Sequence, residues 1–234
     1  MHLIDRNSIR SLESKTNDNL ILLDKPVDWS SFDVVKKIRS LTRIKKVGHG
    51  GTLDPFATGL LILGTGKETK NLSTISNARK TYVATIEFGR TTDSYDITGA
   101  ETGQAELTGF ENLEMSSLLK SFLGESLQLP PMYSAKKVDG KRLYKLARKG
   151  IEIERKPHQI VLYDITELRR ETYAIEISVE CSKGTYIRSL AHDIGIKSGY
   201  GAYLKALRRT AIDDFQVEKA LTVHDFNDYW KMLN

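Results

Sequence analysis

The residues best placed to do chemistry lie in one stretch, residues 48–59, which holds four glycines, one histidine, one carboxylate and one proline. Glycine permits positive φ and a close approach of another molecule to the backbone. Pro55 biases Asp54 toward an extended conformation. The stretch therefore predicts a rigid, non-helical loop that presents the Asp54 carboxylate in a fixed direction. An ionised carboxylate in such a loop can act as a nucleophile that forms a covalent intermediate. The competing interpretation is an ordinary turn in which Asp54 bonds to its own backbone.

Two glycine-rich phosphate loops can be tested against the same region. The Walker pattern requires glycine, four residues and then Gly-Lys-Ser/Thr, but Gly66-Lys67 is followed by Glu68 and the position five before Gly66 is Leu61. The dinucleotide pattern requires three glycines, and neither the pair at 48 and 50 nor the pair at 64 and 66 has the third. The sequence gives neither pattern, which excludes a phosphate-loop hydrolase of these types.

The charge distribution points to an anionic partner. The chain of 234 residues has a formal net charge of +5. Residues 124–158 hold nine Lys/Arg against four Asp/Glu, and the remainder of the chain is balanced. A concentrated basic segment is typical of a surface that meets a polyanion, although a solvated helix face is the simpler alternative.

Cysteine and histidine usage limits the possible chemistry further. The single cysteine, Cys181, excludes an intramolecular disulfide and a cysteine metal cluster. The five histidines show no ligand spacing, so no metal site is predicted. The apolar runs are too short to cross a bilayer, and residues 1–19 lack the apolar core of a signal peptide. We expect a cytoplasmic protein.

The elements that must position Asp54 follow from hydrophobic periodicity. Period-two or continuous apolar patterns predict strands over 20–23, 59–64, 80–88, 159–168, 173–181 and 204–212. Helical patterns, with caps at Ser30 or Ser31 and at Thr222, predict helices over 32–41, 67–75, 113–123, 140–149, from 184 onward and over 222–233. The first helix is expected to bury Phe32, Val35, Ile38 and Leu41. Because strands and helices are mixed without strict alternation, the fold class is α+β.

Seven sequence blocks together resemble the TruB family of tRNA pseudouridine synthases. In family order they are LLDKP at 22–26, GHGGTLDPFATG at 48–59, KTY at 80–82, GRTTD at 89–93, PMYSA at 131–135 with LY at 143–144 and AR at 147–148, CSKGTYIR at 181–188 and LRR at 207–209. The resemblance implies a mixed, mostly antiparallel central sheet flanked by helices, with an RNA-binding insertion. It also implies isomerisation of uridine 55 in the tRNA T loop to pseudouridine. That reaction needs no cofactor, and its partner is the T arm of tRNA.

The resemblance implies a role for each of six residues. Asp54 would be the nucleophile, attacking either C6 of the uracil or C1′ of the ribose, and the sequence leaves both routes open. Arg188 would be the cation that keeps Asp54 ionised. Tyr82 would stack on the uracil, and its hydroxyl is a candidate for moving a proton. Tyr186 and Leu207 would complete the wall around the nucleotide. His49 would occupy the space left by the flipped nucleotide. On residue type alone, each of the last five is better explained by packing or surface exposure.

The resemblance also sets the expected organisation. We expect a single catalytic domain over residues 1–234, with the segment 124–158 as an insertion that closes over the T loop and is poorly ordered without RNA. Only 25 residues follow the last block, too few for the additional C-terminal RNA-binding module of several relatives. We expect a monomer. The alternative function is a tRNA-binding folding chaperone without chemistry, because flipping the base already opens the tRNA elbow.

Overall fold

The structure is a computed structural model, and it describes residues 2–9, 16–134, 137–138, 140–147 and 150–233. Across these ranges the strands are β1 His2–Ile4, β2 Asn19–Lys25, β3 Val47–His49, β4 Thr58–Thr65, β5 Lys80–Phe88, β6 Arg90–Thr92, β7 Glu101–Gln104, β8 Gly124–Gln128, β9 Lys137–Val138, β10 Lys141–Arg142, β11 His158–Arg170, β12 Ala174–Cys181, β13 Ala202–Ile212, β14 Phe215–Gln216 and β15 Leu221–Thr222. The α-helices are α1 Ser31–Thr42, α2 Leu72–Asn77, α3 Met115–Lys120, α4 Leu143–Ala147, α5 Ile187–Ser198 and α6 Val223–Met232. Short 3-10 helices cover Gly66–Lys70, Phe110–Asn112 and Val217–Lys219.

The chain divides into two compact units. The first consists of Met1–Tyr82 and Leu207–Asn234, and the second consists of Val83–Ala206. The unit limits fall inside β5 and β13, so each of these strands contributes residues to both units.

The sheet of the first unit is built around β2 and β4, which are antiparallel to each other. β1 and β15 lie parallel to β2, while β3 is antiparallel and β13 parallel to β4. Alternate residues of β2 and β4 face opposite sides, and both sides are covered. Ile21 and Leu61 pack toward α1 and α6, while Leu22 and Leu60 pack toward α2. Burial on both faces explains why these strands read as continuous apolar runs.

The caps of α1 and α6 confirm the predicted helix starts. Ser30 and Asp33 form a reciprocal capping box at α1, and Thr222 and Asp225 form one at α6. The predicted burial of Phe32 is wrong, because its side chain is 51% exposed. The buried face of α1 carries Ser31 in its first turn, and the 100° step between residues turns Phe32 toward solvent.

In the second unit β11 pairs antiparallel with both β8 and β12, and β5 is the other neighbour of β12. The turn-rich segment 89–109 contains the β6–β7 hairpin. Helix α3 packs against α5 and β11, and it is shorter than the predicted helix over 113–123. The mixed, mostly antiparallel α+β class is confirmed. No helix in the portion of the chain that the structure describes is long and apolar enough to cross a membrane.

The segment 124–158 contains β8, a short β9–β10 hairpin and α4, which corresponds to the predicted basic helix over 140–149. Three of its basic residues, Lys136, Arg148 and Lys149, lie outside the described residues. Its proposed ordering by RNA stays a prediction.

Candidate active site

The Asp54 loop joins β3 to β4, and the buried Arg209 side chain holds its first half. Arg209 is 1% exposed. Its Nη2 donates to the carbonyl of Gly51 at 3.1 Å and its Nη1 to the carbonyl of Thr52 at 3.4 Å, while Nε donates to Leu60 at 2.7 Å. One guanidinium thus ties the loop to β4, because its planar fork presents several donors in fixed directions.

Two further side chains hold the loop on either side of Asp54. The Ser31 hydroxyl accepts from the Leu53 amide at 2.8 Å and lies 3.2 Å from the Leu53 carbonyl. The Lys25 ammonium donates to the carbonyl of Pro55 at 3.1 Å and also to those of Pro26 and Trp29. The peptides before and after Asp54 are therefore fixed, and the half-buried Asp54 side chain projects from a rigid support.

Lys25 also brings a positive charge to Asp54. Its side chain is fully buried, and this burial lowers the pKa of the ammonium to about 8. The negative charge of Asp54 has the opposite effect and raises the pKa of Lys25. The two groups are close enough to interact electrostatically, so Lys25 favours the ionised form of the Asp54 carboxyl that a nucleophile needs. The resemblance implied Arg188, not Lys25, as the cation for this role.

Two glycines in the loop region are required for different reasons. Gly59 has a φ of +104°, and a Cβ there would collide with the backbone of Arg209. A Cβ on Gly50 would lie 2.6 Å from a side-chain carbon of Ile75. The glycine spacing of the motif thus reflects close backbone packing as well as turn geometry.

The other candidates in the first unit are His49, Tyr82 and Leu207. His49 Nδ1 accepts from the Gly51 amide at 3.4 Å, and burial together with the Arg209 charge lowers the pKa of its imidazole. A neutral imidazole at neutral pH is compatible with a space-filling role. Tyr82 and Leu207 are each 8% exposed. Tyr82 lies on the buried face of β5 with Ala84, Ile86 and Phe88, as its alternation predicted.

Arg188 lies in the second unit, where it is 4% exposed, so the interpretation of it as a surface residue is wrong. Its Nη1 is 3.4 Å from an Asp96 carboxylate oxygen and donates to the Ser94 carbonyl at 3.2 Å; its Nη2 donates to the Tyr133 carbonyl at 2.8 Å. Asp96 is itself held by Ser94 Oγ at 2.8 Å and by Thr98. The guanidinium therefore has a fixed orientation. Its pairing with Asp54 stays a prediction.

The loop that carries Asp96 is itself braced. Tyr95 has a φ of +65°, a conformation that costs free energy in a residue other than glycine. Its ring stacks on His192 of α5, with centroids 3.9 Å apart, and Asp96 makes a parallel bridge to Leu204 of β13. These contacts hold the strained backbone that aims Ser94 and Asp96 at Arg188.

Tyr186 lies at the start of α5 and is held by two residues that pair with each other. Its amide donates to Gln128 Oε1 at 2.8 Å, and Gln128 Nε2 donates back to its carbonyl at 3.0 Å. The ring of His158 meets the Tyr186 ring edge-on at 6.0 Å, and His158 is the β11 partner of Gln128 in β8. The segment 124–158 thus begins and ends in the paired strands β8 and β11, and both strands contact Tyr186.

The sequence alone does not single out Lys25, Gln128, Asp96 or Ser31 as parts of these arrangements. The blocks LLDKP and GRTTD lie at or next to Lys25 and Asp96, and Ser31 was a candidate helix cap, but nothing local marks Gln128. Within the described ranges no group of three or more His, Cys, Asp or Glu side chains is arranged to hold a metal ion.

Comparisons with known proteins match this chain to one family. Residues 39–187 match the family model described as TruB family pseudouridylate synthase (N terminal domain). Residues 188–233 match the one described as tRNA pseudouridylate synthase B C-terminal domain. The Asp54 loop, Tyr82 and Tyr186 fall in the first match, and Arg188 and Leu207 fall in the second.

Individual relatives agree. A protein of Bordetella avium named tRNA pseudouridine synthase B is 47% identical over 88% of this chain and 85% of its own length. One of the same name from Clostridium tetani is 45% identical over 90% of this chain and 73% of its own. Among solved structures, a Cbf5-Nop10-Gar1 complex contains a chain that is 30% identical, with a TM-score of 0.72 over 96% of this chain. The match spans 57% of that chain's length.

Proposed function

Since this chain belongs to the TruB family of pseudouridylate synthases, we propose that it isomerises uridine 55 in the T loop of tRNA to pseudouridine, with Asp54 as the nucleophile. Family membership confirms the resemblance found in the sequence, and tRNA is the substrate class in the names of both relatives. The observation that carries the proposal is the Asp54 loop, in which the peptides on both sides of one carboxylate are fixed by buried side chains.

The proposed chemistry begins with a nucleotide outside the RNA stack. Extruding a uridine from a folded loop costs roughly a few kcal/mol of stacking. In one route the Asp54 carboxylate bonds to C1′ as the C1′–N1 bond breaks and the electron pair leaves with the uracil. The turned uracil then bonds to C1′ through C5 and displaces the carboxylate. In the other route the carboxylate adds to C6 of the uracil, the C1′–N1 bond of this adduct breaks, C5 bonds to C1′, and the carboxylate leaves C6 as C5 loses its proton. Both routes end with a proton moving from C5 to N1, so neither needs an external reactant.

Preorganisation is what this loop would contribute to either route. A carboxylate fixed by its neighbouring peptides needs little reordering as the reaction begins, which lowers the activation barrier. Lys25 favours its ionised form. In the same proposal Tyr82 stacks on the uracil, Tyr186 and Leu207 enclose it, His49 fills the space that the base leaves and Arg188 contributes positive charge.

The experiment incubates purified protein with a T-arm minihelix and maps pseudouridine at nucleotide resolution. We expect product at the position equivalent to uridine 55. Product at another position would refute the assignment of the target nucleotide, and no product would refute the catalytic proposal.

Asp54→Asn then separates catalysis from binding. The amide is nearly isosteric but is not a nucleophile of comparable strength, so the variant should make no detectable product while binding the minihelix with unchanged affinity. Loss of both product and affinity would mean that Asp54 serves binding. Full product formation would exclude Asp54 as the nucleophile. It would also exclude the alternative of a chaperone that acts without chemistry.

A further inference from the structure

The exposed side of α1 and the two lysines before β3 form a charged surface that the proposed mechanism does not use. Between residues 34 and 53 the sequence contains six Lys/Arg and no Asp/Glu. The exposed members, which we name the α1 basic face, are Lys36, Lys37, Arg43, Lys45 and Lys46. The net charge of the chain outside residues 124–158 does not reveal this surface, because acidic residues elsewhere balance its positive charges.

The α1 basic face is rigidly joined to the Asp54 loop within the first unit. Arg39 of α1 donates through Nη2 to the Val47 carbonyl at 2.8 Å, and the Lys46 carbonyl accepts from the Gly66 amide at 2.9 Å. Lys45 and Lys46 lead directly into β3, whose last residue, His49, begins the approach to Asp54. Positive charge on this surface is therefore continuous in the chain with the proposed catalytic loop.

An exposed aromatic ring belongs to the same surface. The Phe32 side chain is 51% exposed, with the Lys36 ammonium 5.0 Å and the Arg39 guanidinium carbon 6.0 Å from its ring centroid. A globular core gains nothing from an apolar ring left in solvent, whereas basic side chains interleaved with an aromatic are typical of nucleic-acid surfaces.

One edge of the surface is unfavourable to phosphate. An open cleft of about 480 Å³ beside Trp29 is lined by Asp28 and Asp33 as well as by Lys36 and Lys37. The Asp33 carboxylate accepts from the Ser30 hydroxyl and amide, interactions that lower its pKa, so it is ionised at neutral pH. A polyanion would therefore be favoured toward the end of the surface that carries Arg43, Lys45 and Lys46, none of which lines this cleft.

From these observations we infer that the α1 basic face binds the sugar–phosphate backbone of the same tRNA, within the T arm that holds the target uridine. The identity of the RNA rests on the proposed function. The physical requirement is a regular polyanion, and each lysine that neutralises a phosphate releases a condensed counterion. The contribution of this surface is therefore visible in how binding depends on salt.

The experiment compares two double variants with the same change in charge. Lys37→Gln/Lys45→Gln removes two members of the α1 basic face. Lys120→Gln/Lys219→Gln removes two exposed lysines outside both this face and the segment 124–158. Affinity for a T-arm minihelix is measured from about 50 to 200 mM salt, where each lost phosphate contact lowers the slope of log K against log salt by about one.

We expect the slope of the first variant to fall by about one to two, while the second keeps the wild-type slope. Equal slopes for the two variants would overturn the inference. A decrease in slope seen only with full-length tRNA would also overturn the inference, because the surface would then contact a part of the tRNA outside the T arm.

Two further measurements keep the result interpretable. In the wild-type protein, an amine-reactive reagent should modify Lys37 and Lys45 more slowly when the minihelix is bound, with Lys120 and Lys219 unaffected. This test requires no variant to fold, and equal reactivity of Lys37 and Lys45 with and without RNA would refute the contact. The single-turnover rate of Lys120→Gln/Lys219→Gln at saturating minihelix should equal that of the wild type, which shows that the control variant is folded. A protein that makes no pseudouridine but shows the slope difference would refute the proposed function and leave this inference intact.

Discussion

Gln128 offers a sharp test of how the second unit holds Tyr186. Its side-chain amide is 3% exposed and forms a reciprocal pair of hydrogen bonds with the Tyr186 main chain, at 2.8 and 3.0 Å. Tyr186 occupies the N-cap position of α5, and its own side chain provides no capping bond. Gln128 therefore provides the acceptor that the helix start leaves missing for the Tyr186 amide, and it adds a second donor to the Tyr186 carbonyl, which also accepts from the Leu190 amide at 3.1 Å.

Gln128→Met keeps most of the side-chain volume but removes both hydrogen bonds. A buried group left without its partner costs about 1–3 kcal/mol. The Tyr186 amide loses its partner while the carbonyl keeps its bond from Leu190, so the free energy of unfolding should fall by about 1–3 kcal/mol. Because 1.36 kcal/mol corresponds to a factor of ten in rate, displacement of Tyr186 should slow single-turnover pseudouridine formation by about tenfold or more.

Urea denaturation and single-turnover assays on the minihelix measure the two effects. The matched control is Gln159→Met, because Gln159 is exposed, lies on the adjacent strand and bonds only to an exposed Glu125 carboxylate at 2.9 Å in the described contacts. Its free energy of unfolding should change by less than about 0.5 kcal/mol. If Gln128→Met is indistinguishable from this control in both assays, the reciprocal pair does not position Tyr186.

The remaining predictions concern the other supports. Asp96→Asn removes the carboxylate beside the buried Arg188 guanidinium and should lower the free energy of unfolding by about 3 kcal/mol or more in urea; a loss below about 1 kcal/mol would contradict the buried pair. Gly59→Ala places a Cβ against the Arg209 backbone at a φ of +104° and should destabilise the protein by at least about 1–3 kcal/mol and slow turnover; a wild-type melting temperature would contradict it. Burial raises the pKa of Glu87, but hydrogen bonds from a lysine, a tyrosine and an arginine outweigh burial and lower the pKa to about 2. Because the folded pKa lies below the ordinary 4.5, the stability from Glu87 is present above pH 4.5 and lost as the pH falls toward 2. Glu87→Gln should therefore flatten the decline in unfolding free energy between those pH values, and an unchanged decline would refute this origin.

Much of the fold could be predicted because its signals are local. Neighbouring residues alone specify the apolar runs at β2 and β4, the alternation in β5 and β12 and the capping boxes of α1 and α6. The prediction that Phe32 is buried was wrong, because the helical period that fits the four apolar residues also fits a buried helix face rotated by one residue. The buried face instead consists of Ser31, Val34, Val35 and Ile38, and Ser31 bonds there to Leu53, which lies 22 residues further along the chain.

The sequence by itself determined the Asp54 loop, since glycine, proline and aspartate restrict their own backbone angles, and seven ordered blocks identified the family. Only the tertiary structure decided which side chains support that loop and its counterparts. Arg209 reaches Gly51 across 158 residues, and Gln128 reaches Tyr186 across 58. No periodicity encodes such pairs, because a buried hydrogen bond depends on where two distant segments meet when the strands pair and the helices pack.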